Sequence, residues 1–179
     1  MDLLDPRFLL LGIIASALIF AVVAFWASAT TRRIVGALVS SLPIVPLVML
    51  YDAIAAQFGW WHYPPVTTST APLAWYIAAA LVYGAALGLV GWRVIRRFHT
   101  RGLVAFLIVF ALLGVMRDYA YSSTTRLIVF GPGLLPLVAD WFAYASAAAL
   151  LQLLMYWIVG PPRSDPLART QRTHSAADA

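Results

Sequence analysis

The chain has 179 residues, 63% of them hydrophobic and 11% charged, and no cysteine. An ordinary soluble domain is roughly 45–50% apolar and 25% charged, so a conventional globular domain, a disordered chain and a disulfide-stapled secreted module are all excluded. All twelve basic residues are Arg and all seven acids are Asp, for a net charge of +5. The arginines sit between apolar runs rather than in a basic patch, so nucleic acid is not an expected partner.

Five apolar runs reach the ~20 residues that a helix needs to cross a bilayer. They are Phe8–Ala29, Ile34–Gln57, Pro72–Trp92, Leu103–Tyr121 and Leu134–Val159. A spanning segment must satisfy its own backbone groups, and these runs lack the alternation of a barrel strand, so helices are expected. The predicted fold class is an all-α integral membrane protein of five transmembrane helices, with residues 1–160 as one domain. Residues 161–179, rich in Ser, Thr and Arg, are expected to form a disordered cytoplasmic tail. The leader Met1–Arg7 carries two acids against one Arg, so the first run reads as a retained helix and not a cleaved signal. Pro43 and Pro46 should kink the second helix and free one or two of its carbonyls.

Arginines near the helix ends set the orientation. With five crossings, Arg32, Arg33, Arg93, Arg96, Arg97, Arg101, Arg163, Arg169 and Arg172 share one side, and Arg7, Arg117 and Arg126 share the other. Nine against three places the N-terminus outside and the C-terminus in the cytoplasm. The expected location is a bacterial inner (plasma) membrane, with membrane lipids as partners.

That orientation gathers the membrane-embedded charges on the outer side. Asp52 lies toward the outer end of the second helix, Arg117 and Asp118 toward that of the fourth, and Asp140 near the outer start of the fifth. Trp60, Trp61, His62 and Tyr63 lie in the loop after the second helix, and Arg126 in the loop before the fifth. An Asp at mid-membrane costs about 2.5–3.5 kcal/mol on insertion scales, so each needs a partner, water or a proton. Asp52 sits where the helix dipole disfavours an anion and is expected to need an Arg or a proton. Asp140, following Gly131-Pro132-Gly133 and Pro136, is expected in the first turns of its helix, where the dipole favours it. Arg117 and Asp118 lie about 100° apart on a helix and are expected to face different ways. His62 has no second ligand near it, so no metal site is expected, and no cofactor motif is present. Ala80, Gly84 and Gly88 form a small-residue stripe suited to close helix packing, within the chain or in a homo-oligomer. Gln152 is expected to find an interhelical hydrogen bond.

One stretch resembles a known family. Asp52, Ala55, Gly59, Trp61, Tyr63 and Pro65 follow the spacing D-x-x-A-x-x-x-G-x-W-x-Y-x-P, and a loop then leads to Pro72-Leu73. This resembles lycopene cyclase domains and related carotenoid-biosynthesis membrane proteins, over about a fifth of the chain. The resemblance implies a helical membrane fold and chemistry on an isoprenoid. The family carries a Glu pair after Pro-Leu, whereas Ala74 and Trp75 stand here and the chain has no Glu.

Two readings stay open. In the first, the chain is an enzyme acting on an isoprenoid or other apolar lipid, with Asp52, Asp118 and Arg117 as the catalytic group and Asp52 as the acid. Trp60, Trp61, His62, Tyr63, Tyr119, Asp140 and Arg126 would then surround the substrate, aromatic faces holding positive charge. In the second, the chain is a non-enzymatic scaffold, subunit or sensor whose cluster only fixes helix packing. Ion transport is disfavoured, because no matching polar chain except Gln152 continues toward the cytoplasm. An apolar cavity receiving Asp52, Arg117 and Asp118 favours the enzyme, and a dry cluster favours the scaffold.

Overall fold

The computed structural model describes residues 6–64, 73–124 and 127–161. In chain order these form α1 (Pro6–Trp26), α2 (Thr31–Ser41), α3 (Ile44–Phe58), β1 (Trp61–His62), α4 (Leu73–Ala79), a π-helical segment (Ala80–Ala86), α5 (Leu87–Thr124), β2 (Val129–Phe130) and α6 (Leu135–Val159). The fold is all-α apart from one short antiparallel strand pair. The expected tail beyond residue 161 and the Arg126 position lie outside the described residues.

Among the described residues four helical runs are long and apolar enough to cross a membrane: Leu9–Trp26, Thr31–Phe58, Leu73–Thr124 and Leu135–Val159. The third run covers both the third and the fourth expected helices. It has 52 residues, which as a straight rod would extend about 78 Å against a hydrocarbon core of about 30 Å. It is not straight. His99 has φ 55° and ψ −135°, which breaks α5 into two arms. The second arm folds back on the first: Phe106 and Phe110 pack with Tyr83 and Leu87, and the Arg117 guanidinium lies over the Tyr83 ring. The segment 93–102, expected as a loop, is helical up to the break on both sides, so its turn is confined to one residue.

The second expected helix is likewise divided, at Leu42-Pro43. Proline has no N–H to donate and its ring crowds the preceding turn. The Leu42 N–H bonds the Val39 carbonyl instead, at 3.3 Å, and the Ser41 hydroxyl takes the freed Leu38 carbonyl at 2.7 Å. The α2–α3 break therefore leaves few backbone groups bare.

Small residues let the helices approach closely. A Cβ on Gly84 would lie 2.7 Å from the Ser41 Cβ of α2, and one on Gly88 would lie 3.2 Å from the Met155 sulfur of α6. The stripe, expected to pack within the chain or in a homo-oligomer, meets α2 and α6 of its own chain at Gly84 and Gly88. The Gln152 side chain donates to the Gly88 carbonyl at 3.2 Å, an interhelical bond of the expected kind. On the outside, Phe25 is 88% exposed and Trp157 73% exposed. A surface that apolar is compatible with insertion in a membrane.

Gly84→Val should lower stability by about 1–3 kcal/mol, the usual cost of overpacking, while Gly12→Ala, with nothing within 4 Å of its Cβ, should not. Thermal unfolding of the two variants in one detergent checks this.

Candidate functional site

The site begins with a turn. α3 ends at Gly59, whose φ of 66° is a left-handed conformation that costs other residues about 1–2 kcal/mol. The turn sends the chain back along α3, so that Trp61 and Tyr63, two apart in an extended segment, fall on the same side. Both reach Asp52: the Trp61 Nε1 donates to Oδ1 at 2.9 Å and the Tyr63 hydroxyl donates to the same oxygen at 3.0 Å. From α4 the Tyr76 hydroxyl donates to Oδ2 at 2.5 Å. Asp52 is 4% exposed. It was expected to need an Arg or a proton; the hydrogen-bond partners the structure gives it are three neutral side chains. The D-x-x-A-x-x-x-G-x-W-x-Y spacing is therefore a local device that supplies two of its own acid's donors.

β1 is pinned by β2, with Trp61 opposite Phe130 and His62 opposite Val129. The Gly131 N–H donates to the Trp60 carbonyl at 2.8 Å. A Cβ on Gly131 would strike the Gly59 carbonyl, so glycine is required for this approach.

A second polar group joins α5 and α6. The Arg117 Nε donates to Asp118 Oδ1 at 2.7 Å, and the Tyr144 hydroxyl donates to Oδ2 at 2.8 Å. Arg117 also donates to the Tyr144 hydroxyl. Its guanidinium carbon stands 4.4 Å from the Tyr83 ring centre and 5.5 Å from that of Tyr144. The expectation that Arg117 and Asp118 face different ways is corrected here. The Arg side chain is long enough to curl across the helix surface, and the Tyr144 hydroxyl gives both residues one meeting point. Gly114, against which the Tyr144 ring packs, makes room for it.

These groups converge on one cavity of about 480 Å³, lined by Asp52, Arg117, Asp118 and Asp140, by Trp61 and Trp75, and by six tyrosines: Tyr51, Tyr63, Tyr76, Tyr83, Tyr121 and Tyr144. The rest of its wall is largely Ala, Val, Ile and Leu, including Ile19 of α1, which is 46% exposed. Asp140 lies in the second turn of α6 as expected, and it is 4% exposed. Its Oδ2 has no hydrogen-bond partner.

Six of the residues expected at the site thus line the cavity: Asp52, Trp61, Tyr63, Arg117, Asp118 and Asp140. Trp60 stacks on Phe58 at 5.2 Å and lies off the lining. His62 points to the opposite side of β1 from Trp61 and is exposed, and Tyr119 is 60% exposed on the outside of α5. The cavity's tyrosines were the larger omission. A Tyr inside an apolar run reads as packing, yet Tyr144 is one helical turn beyond Asp140, and Tyr76 and Tyr83 share a face. The π-helical segment, a rare form frequent at functional sites, carries Tyr83.

No protein-family model, curated protein or solved structure matches the chain.

Tyr76→Phe and Trp61→Phe each leave an Asp52 oxygen short of a donor and should cost about 1–3 kcal/mol; Tyr119→Phe should change stability by less than about 0.5 kcal/mol. Denaturation of the three variants side by side tests this. Tyr63 lies outside the helices, and burial, with the Asp52 charge next, pushes its phenol well above the usual tyrosine range. A phenol that holds its proton more tightly when folded stabilises fully below pH ~10, where the unfolded group is still protonated, and this contribution is lost as pH rises further. Tyr63→Phe should therefore flatten the loss of stability above pH ~10, read from unfolding midpoints across that range.

Proposed function

We propose that the chain crosses a bacterial inner membrane five times, with the N-terminus outside, and that its cavity receives an isoprenoid or other apolar lipid on which the carboxyl groups act. One observation carries this reading: Asp52, Arg117, Asp118 and Asp140 converge on a largely apolar cavity rather than packing dry. Its volume falls within the range of about 300–1,000 Å³ of small-molecule sites. The break at His99 supports the fifth crossing, and the unequal distribution of arginines supports the orientation.

The chemistry follows from the side chains. Protonating a carbon–carbon double bond breaks an O–H bond, forms a C–H bond and leaves a carboxylate beside a positive charge. Tyrosine and tryptophan faces favour that charge. Deprotonation of a neighbouring carbon, or addition of water, completes a cyclisation or hydration. Within this reading Asp52 is the acid, and its carboxyl gives up the proton. The carboxylate left behind, held by Trp61, Tyr63 and Tyr76, faces the charge, and it takes a proton back when the neighbouring carbon or the added water is deprotonated. Arg117 and Asp118 hold the α5–α6 wall in place as positioning residues.

The closed Arg117–Asp118–Tyr144 group is the observation that favours the second reading, a scaffold, subunit or sensor in which the cluster fixes packing alone. Mass spectrometry of isoprenoid extracts separates the two. Membranes holding the wild-type chain should show a lipid product that membranes holding Asp52→Asn, present at equal amount, do not; an unchanged extract in both sinks the enzyme reading. The topology has its own check, made simple by the absence of cysteine. A membrane-impermeant maleimide added to intact cells should label Ser123→Cys, and label Thr100→Cys only after permeabilisation.

A further inference from the structure

The three carboxyl groups on the cavity wall are not equally occupied. Asp52 accepts three hydrogen bonds, on both of its oxygens. Asp118 has Arg117 on Oδ1 and the Tyr144 hydroxyl on Oδ2. Asp140 is as buried as Asp52, yet its Oδ2 has no partner. Burying a polar oxygen unpaired is costly, and one that faces a cavity is placed to meet a partner that enters it. Four of the cavity's six tyrosine hydroxyls are engaged elsewhere: those of Tyr63 and Tyr76 donate to Asp52, that of Tyr144 donates to Asp118, and that of Tyr51 bonds Ser146 Oγ at 2.7 Å.

From this we infer that the lipid bound in the cavity carries a hydroxyl group, and that Asp140 is the residue that recognises it. The inference rests on the reading of the cavity as a lipid site and names the substrate class within it: an apolar chain bearing an alcohol, not a plain hydrocarbon. A hydroxyl satisfies Asp140 in either protonation state, since it donates to a carboxylate and accepts from a carboxylic acid. The surrounding wall suits the rest of such a molecule, being alkyl and aromatic. Asp140 sits among Ala143 and Ala147 on the same face of α6, small residues that leave space beside it. A site built to hydrogen-bond a hydroxyl rejects the analogue that lacks it, because the protein's polar group is then left buried and bare.

The test uses the full chain in phosphatidylcholine nanodiscs and a diazirine-bearing farnesol analogue as photoprobe, with labelled residues mapped by mass spectrometry. Farnesol and the saturated hydrocarbon farnesane then compete at matched membrane mole fraction. Cavity residues should be labelled, and farnesol should compete at least about tenfold more effectively than farnesane, the worth of one hydrogen bond to a buried acid. Asp140→Leu should erase that difference, and Asp140→Asn, which keeps a donor and an acceptor, should retain most of it. Equal competition by the two ligands on the wild-type chain overturns the inference while the lipid reading stands; it is also the outcome expected if water alone fills the place beside Asp140. Labelling outside the cavity that neither ligand displaces ends both readings. The wild-type comparison decides the matter even where the leucine variant does not fold.

Discussion

Three carboxyl groups buried in a bundle with an apolar exterior are the constraint to which the rest of the structure responds. Two of them are met by donors inside the protein, since hydrocarbon at the bundle surface supplies none, and the third, Asp140, keeps one oxygen without a partner. Asp52 is met by a turn, a strand residue, a loop residue and a neighbouring helix. The Gly59 conformation reverses the chain, Gly131 lets β2 close on it, and Trp61 and Tyr63 are thereby held above the acid that their own segment carries. Removing any of these pieces leaves the others with less to hold.

Asp118 is met differently. Its partners come from the adjacent residue and from α6, so the same bonds that neutralise it also fix the distance between α5 and α6. This is where Gly114 matters, because only a missing side chain lets the Tyr144 ring lie against α5. The pairing of Arg117 and Asp118 with a shared tyrosine ties charge neutralisation to helix packing, and it explains how two sequence neighbours serve one point.

Much of this was legible in the residues alone. Apolar length identified the helices, proline chemistry placed the break near Leu42-Pro43, and Asp52, Asp118 and Asp140, grouped from their places along the helices, line one cavity. The Gly59–Trp61–Tyr63 spacing marked the acid's neighbourhood. Other features carried no signal along the chain. Hydropathy placed a reversal within 93–102, between two apolar runs, but His99 is not a residue type that announces a turn, so the sharpness of the break and its position are invisible to glycine or proline rules. Tyr76, Tyr83 and Tyr144 sit in apolar runs where a tyrosine is ordinarily packing, and their meaning comes from which helix stands opposite. The Gly84 stripe looked equally ready for a second chain or for this one, and nothing along the chain announces that Ser41 stands against it.

The cavity itself follows from the same division of labour. Its polar groups are mostly saturated and therefore fixed, which makes them walls rather than reagents in the resting arrangement. Alanines at 78, 79, 80, 143 and 147 withhold the side-chain volume that would otherwise fill the space between those walls. A void of this kind loses packing contacts, so a bundle held together only by its polar clusters gains nothing from keeping it. On the lipid-binding reading proposed above, saturated acids at two corners hold the geometry, and the third, with one oxygen unpartnered, is left for what enters.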